Sequence, residues 1–410
     1  MKALVIAGGI PQIELIKQLK ARNIYTILLD GNSNAVAVPY ADEFFAVNIF
    51  DIDQVKNIAQ EQKVDFLITC CADQVLLVVA QVSEMLGLPC YIDYQTAKNV
   101  SDKELMKRLF VENNIPTSQY VVMEKLDISR VRGLRYPLIV KPVDAYSSRG
   151  VCKVCNEEEL CRAFDEAVRI SRSKNAIVEE FCEGEEISVD VFVAKGKAHI
   201  LCVSNSEKIK DENKFVIFRG KFPITASKTL LNKIESVAQQ IADAFHITDA
   251  PMLIQMISNG ESVSVLEFCA RTGGAMKYLL IQHVCGFDVI QAVIDLTLGN
   301  EIQVVLRDPE NKYIVNDFIY CKEGVFDHLE GFDELVAIGA LKDYRQLRPS
   351  GFVTSGQANS SGDRVAGMTI QADSIEEFNR LHEMIVNGIK VIDTTGNDIT
   401  RRELLPGLHI

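Results

Sequence analysis

Three separated stretches of the chain combine residue types that could hold a polyphosphate. Residues 138–142 (LIVKP) and 144–151 (DAYSSRGV) read as a strand, a lysine, a small-residue loop and a returning strand. A lysine beside a hydroxyl- and glycine-bearing turn offers a fixed cation and backbone N–H donors, the complement of a phosphate chain. At about 4 Å and an effective dielectric near 20, one such contact is worth roughly 4 kcal/mol before desolvation. A plain surface hairpin would carry the same letters. In residues 177–190 (IVEEFCEGEEISVD) a strand edge and a glycine turn allow main-chain groups of Phe181 and Cys182 to pair with an adenine edge, while a later carboxylate takes ribose hydroxyls. A solvated acidic turn would explain this stretch as well. Residues 253–256 (LIQM) and 265–274 (VLEFCARTGG) read as two antiparallel strands that bring oxygen ligands together, followed by Arg271 and two glycines. Hard Mg²⁺ between triphosphate oxygens and carboxylates is the natural occupant of such a pair.

The elements that must position these residues follow from apolar spacing. Residues 3–7 form a short apolar run ending in Gly8 and Gly9, then comes helical spacing at Ile13, Ile16 and Leu19 and a second run at 25–30. The alternation continues through strands at 44–47, 66–69 and 89–92 and helices at 53–62 and 74–86. Such alternation predicts a parallel sheet with right-handed crossovers, so residues 1–95 form one α/β domain. Ligands on these sheets sit beyond the carboxyl ends of the strands, where Gly8, Gly9, Asp30 and Asp73 fall. Glycine in a tight turn and aspartate as a helix cap are the structural alternatives there. The GxGxxG dinucleotide fingerprint is absent.

From Ser101 the pattern changes. A helix capped by Ser101 with Leu105, Leu109 and Phe110 as its apolar stripe opens a middle α+β block of residues 100–299. Residues 300–410 read as a β-rich lobe with one helix at 375–389.

Composition limits the partners. The chain has 410 residues, 43 Lys and Arg against 56 Asp and Glu, and a net charge of −13. No bulk positive field recruits nucleic acid or an anionic membrane. No stretch approaches the roughly 18 apolar residues of a bilayer span, and a cytoplasmic location is expected. The 11 cysteines are scattered, several in apolar runs (Cys70, Cys71, Cys202), as reduced thiols that pack like small hydrophobes. Cys152 and Cys155 have metal or redox spacing but no matching second pair. None of the 6 histidines has a spacing that suggests a triad, and His246, His283 and His382 read as surface or capping residues.

Together and in this order, the three stretches resemble the ATP-grasp superfamily, and the resemblance covers the whole chain. It is nearest to carbamoyl phosphate synthetase large-chain-like proteins and L-amino acid ligases, with the three-domain layout of biotin carboxylase. The resemblance implies a mixed α/β and α+β fold: a pre-ATP-grasp parallel α/β domain (1–95), a two-lobed ATP-grasp domain (100–299) and a β-rich C-terminal lobe (300–410). It further implies that Lys103 and Lys141 contact ATP phosphates and that Ser147, Ser148, Arg149 and Gly150 fold over them. Glu179 would accept from the adenine amino group, Phe181 and Cys182 would supply backbone contacts, and Glu186 would hold the ribose. Glu267 would ligate Mg²⁺ or Mn²⁺ and Arg271 would steady an acyl phosphate.

Two departures bear on that expectation. Gln255 stands where relatives place a glutamate, and Cys269 where they place an asparagine. An amide is a poorer Mg²⁺ ligand than a carboxylate, and a thiol is a soft one. The expected activity is an ATP-dependent carboxylate-amine ligase working through an acyl phosphate on small-molecule carboxylate and amine substrates, in a chain whose relatives are often homodimers. A purine-pathway or biotin-carboxylase-like ligase, or an ATP-binding protein whose metal site has lost turnover, are the alternatives.

Overall fold

Alternating apolar residues set the first layer. The computed structural model describes residues 1–144, 150–209 and 215–408. The chain runs β1 (Lys2–Ile6), α1 (Ile10–Ala21), β2 (Tyr25–Asp30), β3 (Glu43–Ala46), α2 (Ile52–Gln62), β4 (Phe66–Ile68) and α3 (Asp73–Leu86). The strands form a parallel sheet in the order β3-β2-β1-β4. Ala3 and Val5 face the α1 residues Leu15, Ile16 and Leu19, whereas Leu4 and Ile6 face α2 and α3. Both faces are covered, which is why these strands read as unbroken apolar runs. The expected strand at 89–92 is absent: the segment is coil leading into α4 (Tyr94–Ser101), whose N-terminus Asp93 caps by accepting from the Thr96 N–H. Pro89 offers no ladder N–H, and the run is short.

Helix α5 (Lys103–Glu112) is capped by Asp102, which accepts from the Glu104 and Leu105 amides. Ser101 instead closes α4, its hydroxyl donating to the Ala97 carbonyl. Of the expected stripe Phe110 is buried, together with Met106 and Lys107, while Leu105 and Leu109 are half-buried, Leu109 packing on the same core. A small antiparallel sheet follows, built from β5 (Tyr120–Met123), β6 (Leu138–Pro142), β7 (Cys152–Val154) and β8 (Ala176–Glu180) in the order β5-β8-β6-β7, with α6 (Ile128–Val131) and α7 (Glu157–Ile170). Leu160, Phe164 and Ala167 of α7 pack on Val140 and Val178.

The large lobe contains β9 (Glu185–Ala194), β10 (Lys197–Lys208), β11 (Ile217–Phe222), α8 (Lys228–Ala244), β12 (Ala250–Ser258), β13 (Val263–Cys269), α9 (Lys277–Cys285) and α10 (Val289–Thr297). It continues into β14 (Tyr313–Ile319), β15 (Glu323–Glu330), α11 (Phe332–Ala337), β16 (Asp343–Gln346), β17 (Val353–Ser355), β18 (Ala366–Ala372), α12 (Ile375–Gly388) and β19 (Lys390–Asp393). One eight-stranded sheet runs β13-β12-β9-β10-β11-β14-β18-β16. Because β14 pairs with β11, the C-terminal lobe extends the sheet of the middle block across residue 300. On β9, Ile187, Val189, Val191 and Val193 face α8, while Phe192 and Ala194 face the core shared with α9, α10 and α1. Ser188 and Asp190 therefore share the second face. Among the described residues, no single helix is long and apolar enough to cross a membrane.

Candidate active site

A cavity of about 620 Å³ lies where the parallel sheet, the small sheet and the large sheet meet. Gly9 and Cys71, just past β1 and β4, line one side, with Asp73 at the start of α3 and Lys103 at the start of α5. Glu267, Gln255 and Ser188 stand in register on adjacent strands and form part of its wall. Arg271, Lys277, Arg348 and Arg364 complete a lining in which cations outnumber the carboxylates Asp73, Asp144 and Glu267.

Of the expected phosphate lysines Lys103 lines the cavity and Lys141 does not, and each is matched to a carboxylate. The Lys103 ammonium is 2.8 Å from Glu267 Oε2. Burial opposes the charge on Lys103, but Glu267 outweighs it and raises the ammonium's pKa. Burial likewise works against ionised Glu267, which Lys103 and Lys141 hold below the usual carboxylate range. Lys141 lies 2.5 Å from Glu179 Oε1.

Glu179 was expected to meet an adenine amino group. Instead Lys141 takes one of its oxygens, and Lys107 (2.7 Å) and the Ser118 hydroxyl (2.8 Å) take the other. The alternation of β8 sends Glu179 inward while Glu180 pairs outward with Arg135. Burial would raise the Glu179 carboxyl, but the two lysines hold it well below the carboxylate range. Lys107 is the counter-case, with burial pushing its ammonium down from the ordinary lysine value. The sequence reading overlooked Lys107, although its position four residues after Lys103 puts both on one helix face.

Other expected contacts are distributed around this core. The Phe181 N–H donates to the Pro137 carbonyl, whereas the Cys182 backbone makes no backbone hydrogen bond among the described residues. Glu186 is held by Lys208 (2.5 Å) and by the Gln255 amide N–H (3.1 Å). Gly150 has a φ of 75°, and a Cβ there would lie 2.8 Å from Ile170 and 3.0 Å from Pro142, so glycine is required on both counts. Ser147, Ser148 and Arg149 lie outside the described residues.

Arg271, just past β13, reaches the start of α3. Its guanidinium makes a bidentate pair with Asp73 at 2.6 and 2.5 Å, and a third donor reaches the Thr272 carbonyl. Burial alone would raise the Asp73 carboxyl, but Arg271 more than offsets it and keeps it low. Asp73 is thus the partner that orients Arg271, and it does not cap α3. Lys277 is 3.1 Å from Asp190 and 2.6 Å from the Ser204 hydroxyl. Burial raises the Asp190 carboxyl despite Lys277, and Asp190 Oδ1 has no partner. The sequence reading missed both residues. The two-residue period linking Glu186, Ser188 and Asp190 on β9 is the signal that could have found the aspartate.

The donor set suits one hard cation. Gln255 spends its N–H on Glu186, so its carbonyl oxygen is the atom left for a ligand. Cys269 does not contribute: burial raises its thiol well above the usual value, and Sγ turns to the Leu253 and Arg271 carbonyls. Glu267 and the Gln255 carbonyl fit one Mg²⁺, an ion that keeps most of its shell for water and phosphate oxygens. Among the described residues there is no cluster of three or more His, Cys, Asp or Glu side chains suited to a metal. Cys152 is half-buried and Cys155 exposed, both as free thiols. His283 and His382, expected at the surface, are buried beside carboxylates of other elements: His283 bridges Glu310 and Asp343, and His382 contacts Asp317.

The profile of the ATP-grasp domain matches residues 134–278. This stretch is an ATP-grasp domain. The carbamoyl phosphate synthase large chain of Clostridium acetobutylicum is 22% identical over 320 residues, covering 74% of this chain and 29% of its own length. The chain therefore spans under a third of that relative. Among solved structures, the L-amino acid ligase of Bacillus licheniformis superposes with a TM-score of 0.78 at 18% identity over 96% of this chain and 99% of that one. The biotin carboxylase domain dimer of Hydrogenobacter thermophilus 2-oxoglutarate carboxylase, a complex with MgADP, ADP and bicarbonate, gives 0.78 at 16% identity over 98% and 92%. These likenesses establish the fold around the ATP-grasp domain. The cavity lies where that domain meets the N-terminal sheet and the C-terminal lobe.

Proposed function

We propose that the chain is an ATP-dependent carboxylate-amine ligase: it transfers the γ-phosphoryl group of ATP to a carboxylate, and an amine displaces phosphate from the acyl phosphate to form an amide. The observation that carries this reading is the convergence of Lys103, Glu267 and the Asp73–Arg271 pair on one cavity of an ATP-grasp domain. The C. acetobutylicum synthase and the B. licheniformis ligase, by their names, support the ligase class.

Positioning and charge carry such a reaction, so no nucleophilic triad is required. Lys103 and Lys141 bind phosphate oxygens, and the loop of Ser147, Ser148, Arg149 and Gly150 closes over them. The Phe181–Cys182 edge frames the adenine, Glu179 holds Lys141 in place for the phosphates, and Glu186 stands at the ribose. Arg271 offers its remaining donor edge to the acyl phosphate. Glu267 and the Gln255 carbonyl would hold Mg²⁺ or Mn²⁺, which when bound would supply charge neutralisation for the phosphates. We include in this reading the three-domain division at about 95 and 300, a cytoplasmic location and a homodimer.

ADP release from Mg-ATP that depends on an amino acid pair tests the proposal. Release with no member of a broad carboxylate and amine panel, in protein that binds ATP, would leave an ATP-binding protein without turnover. The neutral Gln255 and the withdrawn Cys269 favour that second reading, and it expects Gln255→Glu with Cys269→Asn to create turnover. Lys141→Ala is expected to weaken Mg-ATP binding by about 2 kcal/mol, the size of a lost charge-assisted contact. Calorimetry on the folded variant checks this, and an unchanged Kd would remove Lys141 from the phosphate site.

A further inference from the structure

Most cations on the cavity wall are already neutralised: Lys103 by Glu267, Arg271 by Asp73 and Lys277 by Asp190. Two are not. Arg348 and Arg364, flanking the short 360–363 turn of the C-terminal lobe, line the cavity and make no ion pair among the described residues. Both are nonetheless held in place. Arg364 is 9% exposed, its guanidinium lies 3.9 Å from the Phe318 ring centre, and it donates to the Tyr320 hydroxyl and the Ile217 carbonyl. Arg348 lies 4.9 Å from the Phe352 ring centre and donates to the Gly362 carbonyl, and its Nε is buried with no partner. Asp363, the carboxylate between them in sequence, is turned to the Asn359 and Ser360 amides. Burial, reinforced by Arg364, pushes the Arg348 guanidinium down from its ordinary value despite Asp363.

Keeping two guanidinium groups against aromatic faces with no ion pair among the described residues, the nearby Asp363 being turned to backbone amides, costs free energy that a bound anion would return. Their free donor edges suit the planar or tetrahedral oxygens of a carboxylate or phosphate. Position separates this pair from the metal-binding wall. Glu267 is on β13 and Arg364 docks on β11, four strand spacings away, or roughly 19 Å at about 4.8 Å per strand. Lys277, which reaches β9 and β10, is only one to two spacings from β11, or roughly 5–10 Å.

We propose that Arg348 and Arg364 form an oxyanion subsite that selects a small substrate carrying a second carboxylate or phosphate besides its reacting group. This rests on the ligase reading for what the substrate undergoes, but the subsite can be tested without turnover. Calorimetry on the full chain, with and without Mg²⁺ and a non-hydrolysable ATP analogue, would titrate inorganic phosphate, succinate and, as a singly charged control, acetate. At least one dianion is expected to bind better than acetate, and whichever binds identifies the group as phosphate or carboxylate. Arg348→Gln is expected to weaken it about tenfold or more, as for a lost charged hydrogen bond. Ser361→Glu, which keeps both arginines and offers them a carboxylate from the cavity wall, is expected to do the same if Arg348→Gln folds poorly. Equal dianion affinity in wild type and Ser361→Glu, or no dianion binding by the wild type, overturns the subsite. Failure of the nucleotide to bind would count against the ligase reading alone, because the nucleotide-free titrations still decide this one.

Discussion

Arg271→Ala is expected to abolish carboxylate-dependent ADP release while Mg-ATP still binds. The guanidinium is fixed by its bidentate pair with Asp73 and lies on the cavity wall, where phosphoryl transfer would build negative charge. A preorganised donor at such a place is worth about 10²–10³ in rate. Lys103 and Lys141, which the nucleotide phosphates would meet first, remain. Truncation also leaves Asp73 without its partner and close to the Glu267 carboxylate, so stability should fall by about 3 kcal/mol. Asp73→Asn separates orientation from charge: Arg271 stays, its anchor weakens, and turnover should fall more than ATP affinity. A coupled ADP assay beside calorimetry reads both quantities. Full turnover by folded Arg271→Ala would take this residue out of the reaction.

Some of this arrangement was legible in the sequence. Four of the five strands expected in the first 95 residues, and those around Lys141, Glu179, Gln255 and Glu267, follow from short apolar runs punctuated by glycine, whereas the run at 89–92 does not form a strand. Helices α9 and α10 were not read: α9 is buried nearly all round and shows no polar stripe, and the polar side of α10 is narrow, marked by Gln291 and Asp295. Strand β5 is four residues long and adds the edge of the small sheet. The face of α5 was read only in part because a buried lysine breaks the expected apolar pattern, and that lysine is a functional candidate. The pairings were the least accessible layer. Asp73 and Arg271 are 198 residues apart and meet only because the N-terminal domain docks on the large sheet. Glu179 has the letters of an adenine contact, but only the register of β8 against β5 and β6 shows which cations it faces. The arginine pair has no local signal at all, since its meaning lies in partners that are missing.

Glu179→Ala is expected to be the most destabilising single change in the site. Glu179 is 3% exposed and shares its charge between Lys107 and Lys141, so its removal leaves two buried ammonium groups facing each other. Breaking a buried ionic cluster in this way costs about 3–5 kcal/mol. The pH dependence should also move to a different window. In the wild type the depressed Glu179 pKa contributes stability that is complete above the ordinary carboxylate range and is lost as pH falls through the folded value. Without Glu179 that acid-side loss shrinks. A buried lysine whose folded pKa is depressed disfavours folding while protonated, so the variant should instead gain stability as pH rises toward the lysine range. Denaturant unfolding at several pH values would show the wild type losing more stability on the acid side and the variant gaining more as pH rises toward the lysine range, and the same pH profile in both would refute the assignment of Glu179 as their shared counterion. Replacing all three groups by apolar residues of similar size, Lys107→Met, Lys141→Met and Glu179→Leu, should recover much of the stability, as such swaps do elsewhere. It should also remove Mg-ATP binding. That outcome would mean the cluster is kept for its ligand, with Glu179 holding Lys141 in place until a phosphate takes over as its partner.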